Sequence, residues 1–131
     1  MKKPALSVID AYKATAARLL DNPDDPEQLA NQYTLLSTTR SPGGLPIARR
    51  CAAVAPDEFI AQFNLGSALM RAGLDSVSQF KRALELAPLD RRALTLHHIG
   101  LAHHERGEFD IAMGWYRLTL DADVADDEAV T

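Results

Sequence analysis

The chain has 131 residues, 47% of them hydrophobic and 24% charged, with a formal net charge of −4. That length bounds it to one domain with room for a continuous core, and the apolar content excludes wholesale disorder. The acidic excess sits in the last eleven positions as Asp121, Asp123, Asp126, Asp127 and Glu128. The rest is balanced and lacks the basic stripe that would point to nucleic acid.

The first stretch, MKKPALSVIDAYKATAARLL, predicts a helix over 5–21. Its two lysines resemble the start of a signal peptide, but Asp10 and Lys13 interrupt any apolar stretch that would follow them. No run of about 18 apolar residues exists anywhere, so no membrane span is expected and a cytoplasmic setting is the default. The turn Asn22-Pro-Asp-Asp-Pro26 leads to a helix over 26–39, and Ser41-Pro-Gly-Gly44 to one over 45–55. There Cys51, the single cysteine, reads as a small buried residue rather than a tuned thiolate. After Ala55-Pro-Asp57 come helices over 57–72 and 75–87, divided at Gly73-Leu-Asp75. Ala87-Pro-Leu-Asp90 opens a helix over 90–106, Gly107-Glu108 one over 109–121, and 122–131 is an acidic tail. Strand signals are missing, since alternation is not sustained and alanine and leucine outnumber β-branched and aromatic residues. Each helix is too short to be stable alone and must bury a face against a neighbour.

A repeat runs through these elements. Leu65-Gly66-x-x-Leu69-x-x-x-Gly73 returns as Ile99-Gly100-x-x-His103-x-x-x-Gly107, a spacing of 34 residues, with a weaker earlier copy at Leu29-Ala30-x-x-Tyr33. The second helices echo as well: Phe80-x-x-Ala83-Leu84 is answered by Tyr116-x-x-Thr119-Leu120, and upstream by Ala48-x-x-Cys51-Ala52. A small residue lets two backbones approach, a large apolar one fills the adjoining gap, and proline ends the unit.

On these residues the chain resembles the tetratricopeptide repeat family. The match is best over 93–124, where Ile99, Gly100, Gly107, Phe109, Ala112, Tyr116 and Leu120 fall in register. Over 59–88 it holds at Leu65, Gly66, Gly73, Phe80, Ala83 and Pro88, with a turn two residues short. The resemblance implies an all-α solenoid of about three helical hairpins, repeats at about 26–56, 57–88 and 90–121, behind a lone capping helix at 5–21. The whole of 1–121 is expected to form that one domain.

All four histidines lie within LHHIGLAHHE, as His97, His98, His103 and His104. A shared metal on a helix needs an i,i+3 or i,i+4 pair, whereas His97 and His104 stand about 10 Å apart along the axis. With Ile99, Gly100 and His103 packed inward, His97, Leu101 and His104 face what resembles the family's concave groove, and His98 lies near its edge. Packing or a solvated surface is the first reading, contact with a bound peptide the second, and metal, nucleotide or catalysis the last.

The groove positions of the preceding unit hold Ile60, Phe63, Asn64, Ser67, Met70 and Arg71, joined by Leu94. Apolar anchors with a few polar hooks suit a peptide or helix of another protein, although Phe63 and Met70 equally suit packing between hairpins. Some family members clamp a C-terminal carboxylate with two asparagines and three cations. Asn31 and Asn64 match the asparagines, but Glu27, Leu94 and His98 stand where the cations would be.

No phosphate loop, His-Glu-x-x-His, paired cysteines or Gly-x-Ser-x-Gly is present. The expectation is therefore a non-catalytic interaction module with no cofactor and no metal, binding a protein through Phe63, Asn64, Met70, Arg71, Leu94, His97, His98, Leu101 and His104. Two alternatives rest on the resemblance: a regulatory or substrate-recruiting segment of an enzyme system such as a protein glycosyltransferase, or a small secretion or assembly chaperone. At the last helix, Ile111, Trp115 and Leu118 form a face expected to stack on a second copy, a partner or further repeats.

Overall fold

A computed structural model describes the backbone of residues 7–130 and the side chains of 7–122. Among them every regular element is an α-helix, and there are seven. The chain divides into two compact units at Pro56/Asp57, which is also the expected boundary between the first two repeats.

The first unit holds α1 (Val8–Asp21), α2 (Pro26–Thr38) and α3 (Gly44–Val54), each packed against the next in sequence. Local chemistry sets the starts. Ser7 caps α1 by accepting from the Asp10 N–H at 3.1 Å, and Asp25 caps α2 by accepting from the Glu27 N–H at 3.0 Å. Pro26 stands in the first turn of α2, where its missing N–H costs nothing. Leu29, Tyr33, Ala48, Cys51 and Ala52 are buried between α2 and α3, and the Tyr33 ring lies 3.4 Å from where a side chain on Gly44 would begin. Burial pushes the Cys51 thiol up from its ordinary pKa, which suppresses the thiolate and leaves a structural residue.

The second unit holds α4 (Phe59–Arg71), α5 (Val77–Leu86), α6 (Leu89–Glu105) and α7 (Phe109–Val130), again packed consecutively. Its α4–α5 and α6–α7 turns pass through Gly73 at φ +73° and Gly107 at φ +77°, left-handed conformations that glycine takes without a Cβ penalty. Val77, Phe80, Ile99 and Ala102 form the core, with Phe63, Met70, Leu84 and Trp115 packed on it half-buried. Gly66 and Gly100 explain the repeat: a Cβ on Gly66 would lie 2.7 Å from the Phe80 ring, and one on Gly100 2.5 Å from the Tyr116 ring. The helices of each hairpin thus approach to ring thickness, which is the tetratricopeptide-like arrangement.

Four helix boundaries differ from expectation by two residues or more, the first being α4, which begins at Phe59 rather than 57. The helix expected over 5–21 is described from Val8, residues 5 and 6 lying outside the described part. Helix α5 begins at Val77 because Asp75 accepts from the Val77 N–H at 3.1 Å and holds the preceding residues in a turn. Helix α7 runs on to Val130 instead of stopping at 121, through the acidic stretch. Alanines at 122, 125 and 129 among those acids favour helix, which composition alone had not disclosed.

Candidate interaction surface

In the second unit α4 and α6 present adjoining faces, and the expected groove residues distribute over them unevenly. Phe63 is held by three rings: Phe59 and Phe80 at 5.4 Å each and His98 at 4.8 Å. That places it with the packing, as it does Met70. Asn64 is half-buried and Arg71 exposed on α4. On α6 the outward residues recur at helical spacing: Leu94 is 39% exposed, His97 and His104 are exposed, and Leu101 is half-buried. The opposite flank is consumed by the fold, with Thr95, Leu96, Ile99 and Ala102 all buried.

The four histidines have four environments. His97 meets the Tyr116 ring at 5.5 Å, and His104 meets Phe109 at 4.9 Å. His103 is buried, its ring parallel to Trp115 at 6.2 Å, and its Nδ1–H donates to Glu108 Oε1 at 3.1 Å. Arg106 Nε donates to the same oxygen at 2.8 Å, so Glu108 ties the turn to α6. His98 lies between Phe63 and Phe80, 4.8 and 5.3 Å away, with Nδ1–H donating to the Leu94 carbonyl at 2.9 Å. Among the described residues no group of three His, Cys, Asp or Glu could hold a metal ion.

Burial lowers the His98 pKa from its ordinary value, opposed by the Leu94 hydrogen bond, and His97 beside it adds to the lowering. The neutral ring therefore favours the fold. Its contribution is complete above the unfolded value of about 6.5 and is lost as pH falls from there through the lower folded value. The denaturation midpoint of the wild type is expected to fall more between about pH 8 and pH 5 than that of His98→Gln. Parallel profiles for the two proteins would refute this.

Two features escaped the sequence reading. A pocket of about 140 Å³ lies at the turn end of the second unit, lined by Met70, Leu74, Asp75, Ser76, Glu105 and Arg106 among others. A larger one of about 250 Å³, almost wholly apolar, lies in the first unit where Val8, Ile9 and Tyr12 of α1 face Leu35 and Leu36 of α2. Both are made by residues distant in sequence, and only the exposed apolar stripe of α1 could have hinted at the second.

At the last helix the expected face is split. Ile111 and Leu118 are each 48% exposed, whereas Trp115 turns inward onto the core, with Lys81 Nζ 5.5 Å from its ring centroid. Position 115 lies three residues after buried Ala112 and so belongs to the packed flank. What covers Trp115 comes from its own unit, a correction to the expected stacking face.

No protein-family profile matches the chain, and no curated relative does. Among the described residues no helix is long and apolar enough to cross a membrane. Solved structures of MamA share the fold. The MamA MSR-1 C2 structure superposes with a TM-score of 0.77 at 20% identity, covering 91% of this chain and 69% of that one. A crystal structure of MamA gives 0.81 at 14% identity over 92% and 71%, and MamA AMB-1 P212121 gives 0.74 at 20% over 87% and 68%. At these identities the likeness is one of fold: this chain is an all-α, tetratricopeptide-like array of helical hairpins.

Proposed function

We propose that the chain is a non-catalytic interaction module whose α4–α6 face receives a segment of another protein. The supporting observation is the stripe Leu94, His97, Leu101 and His104, at i, i+3, i+7 and i+10 along α6, left outward while the other flank is buried. Asn64 and Arg71 on α4 add polar contacts beside it. Alternating apolar and imidazole groups suit a helix or extended peptide that needs anchors and a few hydrogen bonds. Phe63, His98 and Met70 shape that surface from beneath rather than meeting the partner as its principal contacts.

Selection of displayed peptides on the immobilised wild type is expected to return a family sharing apolar anchors. Those peptides should bind the Leu94→Ala/His97→Ala variant about tenfold or more weakly, the loss usual for central interface residues. Both positions are exposed, so the variant should melt like the wild type. Peptides that bind both proteins equally would remove this face from the site.

A further inference from the structure

The pocket at the turn end of the second unit lies just beyond the α6 stripe. Its volume of about 140 Å³ is small beside the roughly 300–1,000 Å³ of cofactor and drug-sized sites, so it suits the end of one side chain. Met70, Leu74 and Ala102 give it apolar walls, and Asp75, Ser76 and Glu105 give it acceptors. Glu105 stands four residues after Leu101, one turn further along the same face of α6. A segment lying along the stripe and continuing past Leu101 therefore runs toward the pocket.

The local field is negative. Helices α4 and α6 both end here, and a helix C-terminus carries partial negative charge. The start of α5 offsets this little, because its Val77 N–H already donates to Asp75 Oδ1 at 3.1 Å. Arg106 is the cation among the lining residues; its Nε is held by Glu108 at 2.8 Å, and its guanidinium stands 3.7 Å from Asp75, beyond hydrogen-bond reach. Asp75, Glu105 and Glu108 thus outnumber it, and Arg71 on the last turn of α4 is not part of the lining. Ser76 is the second sign of a ligand. It stands at the cap position of α5 and is only 3% exposed, yet its side chain does not cap that helix, and among the described residues its hydroxyl has no hydrogen-bond partner. A serine there ordinarily closes its own helix, whereas this one leaves its oxygen to a donor entering the pocket.

We propose that this pocket takes a lysine side chain of the partner segment, its methylenes lying on Met70 and Leu74 and its ammonium meeting Glu105, Asp75 and Ser76. The proposal rests on the reading of the α6 stripe as the docking face. An ammonium is a compact charge with three donors, which three acceptors around a narrow pocket satisfy. A planar guanidinium asks for a carboxylate approached side-on, and Arg106 already lies beside Asp75. An acidic group would meet carboxylates and two negative helix ends.

Peptides selected on the wild-type chain should carry a lysine at one fixed distance from their apolar anchors. Replacing that lysine by norleucine should weaken binding to the wild type about fivefold, the scale of a partly exposed ion pair, and should cost nothing further on Asp75→Asn/Glu105→Gln. Asparagine still accepts from the Val77 N–H, so this variant should melt like the wild type. Selected peptides without a fixed lysine overturn the proposal, as does an equal norleucine loss on both proteins. Lysine dependence in peptides that bind Leu94→Ala/His97→Ala as well as the wild type would remove the stripe and keep the pocket. If no peptide binds, the stripe reading fails and n-butylammonium decides the pocket by itself. Saturable shifts in the amide signals of residues 73–76 and 102–106 of the wild type, absent in Asp75→Asn/Glu105→Gln, sustain it, and unmoved signals overturn it.

Discussion

Phe80→Ala is expected to destabilise the second unit by about 3–5 kcal/mol, the cost of removing a buried aromatic ring and leaving its cavity. Phe80 has no exposed surface. Its ring lies against Gly66 from one side and meets Phe63 at 5.4 Å and His98 at 5.3 Å. It shares the core with Val77, Ile99 and Ala102, so α4, α5 and α6 all lose a common contact when it is cut back. Small domains have only about 5–15 kcal/mol of stability, so the loss is a large share of the total. Gly66 offers no side chain to fill the space, and Phe63 is already engaged by Phe59. A urea titration followed by helical signal reads the change directly. Phe109→Ala serves as the control, since Phe109 is 58% exposed and its loss should move the midpoint little. Equal midpoints for the two variants would show that the ring is not the keystone of this core.

The fold was legible in the sequence wherever a residue's role was fixed by close approach. Gly66 and Gly100 stand 34 residues apart and Phe80 and Tyr116 36 apart, and each glycine is found against its ring. Gly73 and Gly107 marked turns because only glycine takes positive φ without strain. The surface was less legible, for a physical reason. A residue on an outward stripe is fixed by few contacts within the chain, so Leu94 and His97 look in sequence like any solvent-facing pair. Residues on the flank between stripes were the hardest. Trp115 and His98 each stand about one position from buried neighbours, and a helical rotation of some 20–30° decides whether such a side chain packs or points outward. Both pack. The first-unit pocket was invisible because Tyr12 and Leu36 meet only after α1 folds back on α2.

Gly66→Ala should cost about 1–3 kcal/mol, although the same change in an open helix would stabilise by up to about 1 kcal/mol. The added methyl would lie 2.7, 2.8 and 2.9 Å from three atoms of the Phe80 ring. That ring is enclosed on every side, so the helices must part or the ring must leave its rotamer. Gly100→Ala makes a closer nominal approach, 2.5 Å to Tyr116, yet it should cost less. Tyr116 is half-buried, with the exposed His97 ring 5.5 Å away, so it can swing toward solvent. The ranking therefore reverses what the distances alone suggest, because compliance of the neighbour decides the energy. Coupling checks the mechanism. Phe80→Leu frees space at the point of collision, so Gly66→Ala/Phe80→Leu should be more stable than the sum of the two single losses predicts. The corresponding Tyr116→Leu should give Gly100→Ala a smaller relief. Additive losses in the first pair, or a neutral Gly66→Ala, would mean that α4 and α5 do not approach to ring thickness.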